Sequence, residues 1–492
     1  MHGSSGGSPY PSPAGMSGEP GDRTASSRLA SSRGDVGVSR PRGDGSIAGV
    51  SSPGHDDDSA AGAAPSALDV RPVAGERITV LGIYWIHKFW SLGPRAGASS
   101  FLLAPQAFAR FGHEIHLSAP RHRGQPAVEV EEGMVIHRYR GAIRFDSNAR
   151  RWLPVRLASR VLRWIYYVLI ATWSGWRLGR RIKPDLVVGY HYHPAVPAFL
   201  VARLLGVPNV TRLFGTQLNR ILDHPLRRIG AFMQIFALRI PASYLIMHDD
   251  GSEGNVVARR LGVPAERLRF WRDGYDPAMY RPGERFDDLR VQLGIPAEHC
   301  ILFCAGRMEE DKRMDLLVET LPDVLREEQA VTLLLVGDGG DRPMIESMIR
   351  RLGLERHVAL PGAVPRDNLP PFFNLGDIFV GTSGRTNANL PPIEAMSCAK
   401  PVVALDTGGT RQVVEHGVTG LLVDPARWRE ELPRAIVSLV RDPARRAAMG
   451  QAGLAWVRRE IPTIEERQRM EVDLAVRAVQ EHRAKRRGGP PS

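Results

Sequence analysis

From Arg77 onward, short apolar runs alternate with longer amphipathic stretches, which predicts strands separated by helices. Ile78-Thr79-Val80-Leu81-Gly82-Ile83 reads as a buried parallel strand, and Ala98 to Phe111 as a helix ended by Gly112. Further strands are expected at Glu114 to Leu117, Asp185 to Gly189, Asn209 to Phe214 and Tyr244 to Met247, the last one clear in this half. A helix is expected from Ala195 to Leu205. The chain then turns irregular through Asp273-Gly274-Tyr275-Asp276-Pro277 and Arg281-Pro282-Gly283, as a linker does.

A second series starts at Cys300 to Ala305 and continues with Val331 to Val336, Val358 to Leu360, Ile378 to Val380, Pro401 to Leu405 and Gly420 to Val423. Strands separated by helical stretches imply parallel sheets. The expected class is therefore α/β, with two Rossmann-like doubly wound domains facing across a cleft. The expected boundaries are a disordered extension over 1–75, an N-terminal Rossmann-like domain over 76–280, a C-terminal Rossmann-like domain over 281–460, and a helix with tail over 461–492. The charged helix from Ile464 to Arg487 reads as a solvated face. Residues 1–75 are rich in Gly, Ser, Pro, Ala, Asp and Arg and carry too little apolar area to offset ordering entropy.

Charge changes the picture in one place. The net charge is +12, and between Arg138 and Lys183 twelve basic residues stand against Asp146 alone. Trp152, Trp164, Tyr166, Tyr167, Trp173 and Trp176 are interleaved with them, as in segments that lie on an anionic membrane surface. The alternative is a core helix with solvated arginine flanks. The run from Trp164 to Trp176 is shorter than the roughly 20 apolar residues a span requires. We expect a cytoplasmic protein, peripheral on the inner face of the cytoplasmic membrane, with no nucleic acid partner. Cys300, Cys304 and Cys398 form no CxxC pair, which argues against a disulfide framework or structural zinc.

Candidate chemistry gathers in the second half. Arg307 and Lys312 lie in the loop GRMEEDK directly after a strand, suited to neutralising a departing diphosphate. Downstream, Asn389 to Thr410 carries Glu394 on a short helix, then a β-branched strand and the Gly408-Gly409 turn. No GxxxxGK[ST] loop, HExxH or complete dinucleotide fingerprint is present, which sets aside P-loop, zinc-protease and hydride-transfer chemistry.

These motifs, taken in order, make the chain from about Arg77 to Glu460 resemble the retaining GT-B nucleotide-sugar glycosyltransferases of family 4. GRMEEDKRMDLLVE is similar to that family's basic loop, and LLLVGDGGDRPMIESMIRRLGLERHVALPGAV to its L-V-G-x-G block and G-x-V turn. LPPIEAMSCAKPVVALDTGGTRQVVEHGVTGLLV is similar to its E-A-M, P-V-V-A and G-G series, with His416 where asparagine is usual. The resemblance implies Arg307 and Lys312 as catalytic groups on the diphosphate, Glu394 on the ribose hydroxyls, and Gly362 and Val364 near the base. It implies Leu390 and Pro391 as backbone facing the phosphates, with Gly306 in the basic loop and Gly97 in a glycine loop of the first half. Thr386 stands where the family has a first glutamate, so Thr386, Asn387 or Asn389 are the candidates for hydrogen bonds to the sugar. Phe214-Gly215-Thr216 replaces a histidine-containing turn, leaving His191, His193 and Thr216 as acceptor-side candidates. No metal or other cofactor is expected. The implied activity is transfer of a hexose-type sugar from a nucleoside diphosphate to a glycan or lipid-linked saccharide, in surface polysaccharide or glycolipid biosynthesis. A non-catalytic nucleotide-sugar-binding protein of the same fold is the alternative.

Overall fold

The computed structural model describes residues 76–85, 99–122, 124–141, 153–216, 218–249, 251–283, 286–384 and 390–488. Two sheets organise them. The first contains β1 (Thr79–Ile83), β2 (Glu114–Pro120), β3 (Val128–Glu131), β4 (Met134–Tyr139), β5 (Leu186–Tyr190), β6 (Asn209–Leu213), β7 (Tyr244–His248) and β8 (Leu268–Trp271). Their order is β3-β4-β2-β1-β5-β6-β7-β8, parallel except for the β3–β4 hairpin at one edge. The second contains β9 (Cys300–Ala305), β10 (Val331–Val336), β11 (Val358–Gly362), β12 (Ile378–Gly381), β13 (Val402–Leu405) and β14 (Gly420–Val423). Their order is β11-β10-β9-β12-β13-β14, all parallel. The α/β reading with two doubly wound sheets holds. The extension over 1–75 lies outside the described residues.

The strands are apolar on both faces because helices cover both. Along β9, Leu302 and Cys304 join the core beneath the helices Asp315–Glu327 and Trp428–Val440. Ile301 and Phe303 join the opposite core, beneath Leu390–Ser397 and Pro443–Glu460. This alternation follows from the period of two along a strand. Each such side chain removed from water contributes about 1.5–3 kcal/mol.

Three elements depart from the sequence reading. The first sheet continues past β7 to β8, whose four residues are all only half-buried. An edge strand carrying an arginine lacks the continuous apolar run that marks its inner neighbours. The hairpin β3–β4 is likewise a short edge pair. The third departure is the C-terminal helix, Ile464–Arg486. It is not a solvated appendage but packs Val472, Ala475, Ala478 and Val479 onto the first sheet and buries Arg467 and Glu471.

That helix begins where the chain returns from the second half to the first. A capping box of Thr463 and Glu466 starts it, and the Ile464 N–H donates to the Tyr275 carbonyl at 2.8 Å. The two crossing segments touch at Gly274, where any Cβ would stand 2.7 Å from the Ile464 Cα. Glycine is therefore required there by space alone.

The opposite face of the first sheet is covered by the 30-residue helix Leu153–Ile182, which contains most of the basic aromatic segment. Tyr167, Val168, Ala171 and Leu178 face inward. Leu162, Tyr166, Leu169 and Trp173, spaced four, three and four apart, are exposed, with Leu162 and Leu169 about two-thirds so. Among the described residues no helix is long and apolar enough to cross a membrane.

Candidate functional site

In the second sheet the glycine loops leave the carboxyl ends of the strands, where open α/β sheets take ligands. The basic loop follows β9. Its Met308 N–H donates to the Asp338 carbonyl at 2.9 Å, tying it to the loop after β10. The two loops approach so closely at Gly337 (φ 147°) that a Cβ would strike the Gly306 carbonyl. Lys312 is fixed by a Thr382 hydroxyl donating to its carbonyl at 3.2 Å, and its ammonium lies 3.3 Å from Asp311. Gly306, Lys312, Thr382 and Pro391 line one cavity of about 570 Å³. Arg307 is exposed on the same loop.

Across this cavity stands the helix Leu390–Ser397. Residues Pro391 and Pro392 occupy its first turn, and proline has no N–H. A helix N-terminus normally offers several unpaired N–H groups to an anion. Here prolines remove two of them, which leaves fewer main-chain donors at this end of the cavity.

Glu394 lies one turn further along, with its side chain 12% exposed and 3.7 Å from the Arg366 guanidinium. Burial pushes its carboxyl up to about 6, against the opposing pull of Arg366 and the neighbouring Tyr280 hydroxyl. Arg366 was not singled out from the sequence, because nothing in the turn after Gly362-Ala363-Val364 marks it as Glu394's partner. Gly362 has φ 88°, and its carbonyl accepts the Gly337 N–H at 2.9 Å. Val364 packs against the core on the side of Phe373 and Ile393. Gly97, Thr386 and Asn389 lie outside the described residues.

The acceptor-side candidates sit at the carboxyl ends of β5 and β6. His191 takes φ 86° at the start of the helix Tyr192–Leu205, a backbone conformation costly for any residue but glycine. Burial brings His191 down to about 3; burial, helped by His191 and Arg160, brings His193 down to about 2. His193 stacks on Trp85 with ring centroids 3.9 Å apart. Thr216 is fixed in the next loop, its N–H donating to the Ser252 hydroxyl and its own hydroxyl to Gln234.

Sequence reasoning missed a buried charged cluster between these halves. Arg212 on β6 donates through Nε to Glu471 at 2.9 Å, and Arg467 Nη1 lies 2.8 Å from the same carboxylate. His248 on β7 bonds Asp273 through Nδ1 at 2.9 Å. Burial opposes the charge on Asp273, but His248, Arg212 and Arg467 outweigh it and hold the carboxyl at about 2. The available signals were an arginine inside the short buried strand β6 and the i, i+4 pair Arg467 and Glu471.

The cluster meets the second half in two cavities. One, of about 450 Å³, is lined by Arg212, Asp273 and Arg467 together with Arg366 and Leu390. The other, of about 420 Å³, is lined by His248 and Asp273 together with Leu390 and Gly409. Leu390 thus belongs to the interdomain cleft, while Pro391 faces the cavity of the basic loop.

This architecture is the GT-B fold of glycosyltransferases. Residues 285–456 match the family of glycosyl transferases group 1, so the second sheet with its basic loop and Glu394 helix is a domain of that kind. Over 428 residues the chain is 28% identical to a D-inositol 3-phosphate glycosyltransferase of Segniliparus rotundus, spanning 81% of this chain and 90% of that one. It is 29% identical over 373 residues to the GDP-mannose-dependent alpha-(1-6)-phosphatidylinositol monomannoside mannosyltransferase of Mycolicibacterium smegmatis, spanning 74% and 90%. Among solved structures, Anabaena HepE in complex with UDP and glucose superposes with a TM-score of 0.59 at 20% identity, covering 81% of this chain and 99% of that chain.

Proposed function

We propose that the protein is a retaining glycosyltransferase, moving a hexose-type sugar from a nucleoside diphosphate to a glycan or lipid-linked saccharide acceptor in glycolipid or surface polysaccharide synthesis. The observation that carries this reading is the cavity in which Gly306, Lys312 and Pro391 meet, beside the helix bearing Glu394, within the matched domain. Lys312 and Arg307 supply positive charge where the leaving diphosphate gains negative charge, and Glu394 accepts hydrogen bonds from the ribose hydroxyls. In this reading Gly362 and Val364 border the base, and the hydrogen bonds to the sugar are assigned to Thr386 and Asn389.

In the proposed reaction the bond from the sugar's anomeric carbon to the diphosphate oxygen breaks, and a bond to the acceptor oxygen forms on the same face. The acceptor's proton passes to the departing diphosphate. No protein nucleophile is needed, so the chain's task is to orient both substrates and exclude water.

The named relatives act on an inositol phosphate and on a phosphatidylinositol mannoside, which supports an acceptor of the glycolipid kind. The exposed stripe Leu162, Tyr166, Leu169 and Trp173, continued by Arg177 and Arg180, supports docking on an anionic membrane. Arg138 takes no part in that surface, being buried against Glu129 at 2.5 Å.

A donor screen tests the function. The protein is offered UDP-, GDP- and ADP-sugars with and without membrane lipid extract, and followed by thermal shift and mass spectrometry. The expected result is stabilisation by one donor and a new glycosylated lipid. A donor-specific shift that never yields product with any lipid or glycan fraction would favour a binding protein. The absence of any shift would overturn the nucleotide-sugar reading.

A further inference from the structure

The cavity lined by Arg212, Asp273, Arg366, Leu390, Arg467 and Glu471 has no role in the donor chemistry above, yet it is built from buried charge. Arg212 and Arg467 are each about 5% exposed. Arg212 spends its Nε on Glu471, and Arg467 spends its Nε on the Arg272 carbonyl at 2.9 Å. Arg212 Nη1 and Arg467 Nη2 are buried without a hydrogen-bond partner among the described residues. A buried guanidinium N–H left unpaired costs free energy that a polar ligand would recover.

Three arginines and two carboxylates line the cavity: Arg212, Arg366 and Arg467 against Asp273 and Glu471. Glu471 is shared between two arginines, and Asp273 is engaged by His248. Arg366, the third guanidinium on the wall, already faces Glu394. Burial lowers the pKa of Arg467, and Arg212 adds to that effect, so its positive charge is only partly compensated by Glu471 and Asp273, whereas at Arg212 burial is outweighed by the same two carboxylates.

The cavity also has the right neighbours. Leu390 opens the helix that carries Glu394, so the cavity lies next to the donor site. Gly274 and Ile464 on the far side belong to the crossing segments between the two halves.

We infer that Arg212 and Arg467 form a subsite for a phosphate group carried by the acceptor, seated in the interdomain cleft beside the donor helix. The inference rests on the glycosyltransferase reading for the word acceptor, but the anion site itself does not. With one terminal nitrogen of each guanidinium unpartnered, Arg212 and Arg467 can each donate a charge-assisted hydrogen bond to a different phosphate oxygen. The source is either a soluble sugar phosphate or the phosphodiester of a lipid headgroup, which share the same anionic oxygens.

The test uses the full chain and inorganic phosphate as probe, titrated by calorimetry at constant ionic strength. Phosphate is expected still to bind the Arg307→Ala Lys312→Ala double variant, in which the donor loop can no longer hold it. Binding to Arg467→Gln and Arg212→Gln is expected to be weaker by about tenfold or more, the scale of one charge-assisted hydrogen bond. Phosphate binding that disappears in the double variant, or is unchanged in the two glutamine variants, overturns the site. If the glutamine variants do not fold, amide exchange of wild type with and without phosphate decides. Slowing at 271–274 and 464–471 supports the site, and slowing confined to 306–312 overturns it. Glucose 6-phosphate and phosphatidylinositol vesicles, compared in the same assay, identify the source. A donor screen without any response, alongside intact phosphate binding, would remove the glycosyltransferase reading and leave the anion site.

Discussion

Arg212 and Glu471, 259 residues apart, meet at 2.9 Å with side chains 5% and 6% exposed. One lies in the middle of β6 and the other on the last helix. Their pairing fixes the register of that helix on the first sheet.

Breaking this pair leaves two arginines facing an uncharged neighbour in the interior. Glu471→Gln is expected to lose about 3–5 kcal/mol of unfolding free energy in urea denaturation, the usual result of removing one partner from a buried ion pair. Replacing Arg212, Arg467 and Glu471 together by apolar residues of similar volume should recover much of that loss, because none of the three charges is then left alone.

Glu394 presents the opposite case. Its folded pKa of about 6 lies above the ordinary 4.5, so the fold favours the protonated acid. The associated stability is fully present below pH 4.5 and is lost as pH rises through 6, about 2 kcal/mol in all. Glu394→Gln should therefore keep or raise the melting temperature at pH 7.5 while weakening donor binding by about tenfold or more. Donor affinity of the wild type should fall as pH drops below 6. A melting temperature several degrees lower in Glu394→Gln would contradict this account.

The histidines at β5 set the acid limit. His191 and His193 stay neutral when folded, with values near 3 and 2, whereas the unfolded chain takes up their protons below 6.5. Stability from both is present above pH 6.5 and lost as pH falls from there toward 3. Together they impose a slope of about 2.7 kcal/mol per pH unit, twice the opposing slope of Glu394 between 4.5 and 6. The histidines win, so melting temperature should fall between pH 6.5 and 5. A His191→Phe His193→Phe variant should flatten that fall.

On the donor loop, Lys312→Ala and Arg307→Ala should each reduce kcat by about a hundredfold, close to 3 kcal/mol of transition-state stabilisation. The larger effect should fall on Lys312, which lines the cavity. Steady-state rates with the donor selected by screening check this. Undiminished turnover in both variants would remove the loop from the mechanism.

For the membrane face, Leu169→Ser Trp173→Ser and Arg177→Ala Arg180→Ala should each weaken sedimentation with anionic vesicles. Each arginine is expected to account for about 1 kcal/mol and to lose effect as salt rises. These side chains are solvent-exposed, so circular dichroism melts should stay close to wild type. Vesicle binding indifferent to both pairs would leave the stripe without a membrane role.

The sequence by itself determined the α/β class, the inner strands and the basic loop, because each is encoded locally. A parallel strand covered on both sides must be nearly all apolar, as Val331–Val336 is apart from Thr332, and a loop at its end follows directly. The Glu394 helix was legible for the same reason. Edge strands were not: β8 and β3 have four residues each, none of them buried. Charge inside a fold was the least legible feature. Arg467 and Glu471 read as a solvent-facing i, i+4 pair, and only the return of their helix to the first sheet put them against Arg212 and Asp273. His191 and His193 likewise became buried, neutral rings through packing against Trp85. Arg366 became the partner of Glu394 only when the turn after β11 met the helix after β12. Local patterning fixes which elements form, since their hydrogen bonds and period are set within a few residues. Which charges share an interior depends on contacts hundreds of residues apart, and those the tertiary structure alone decided.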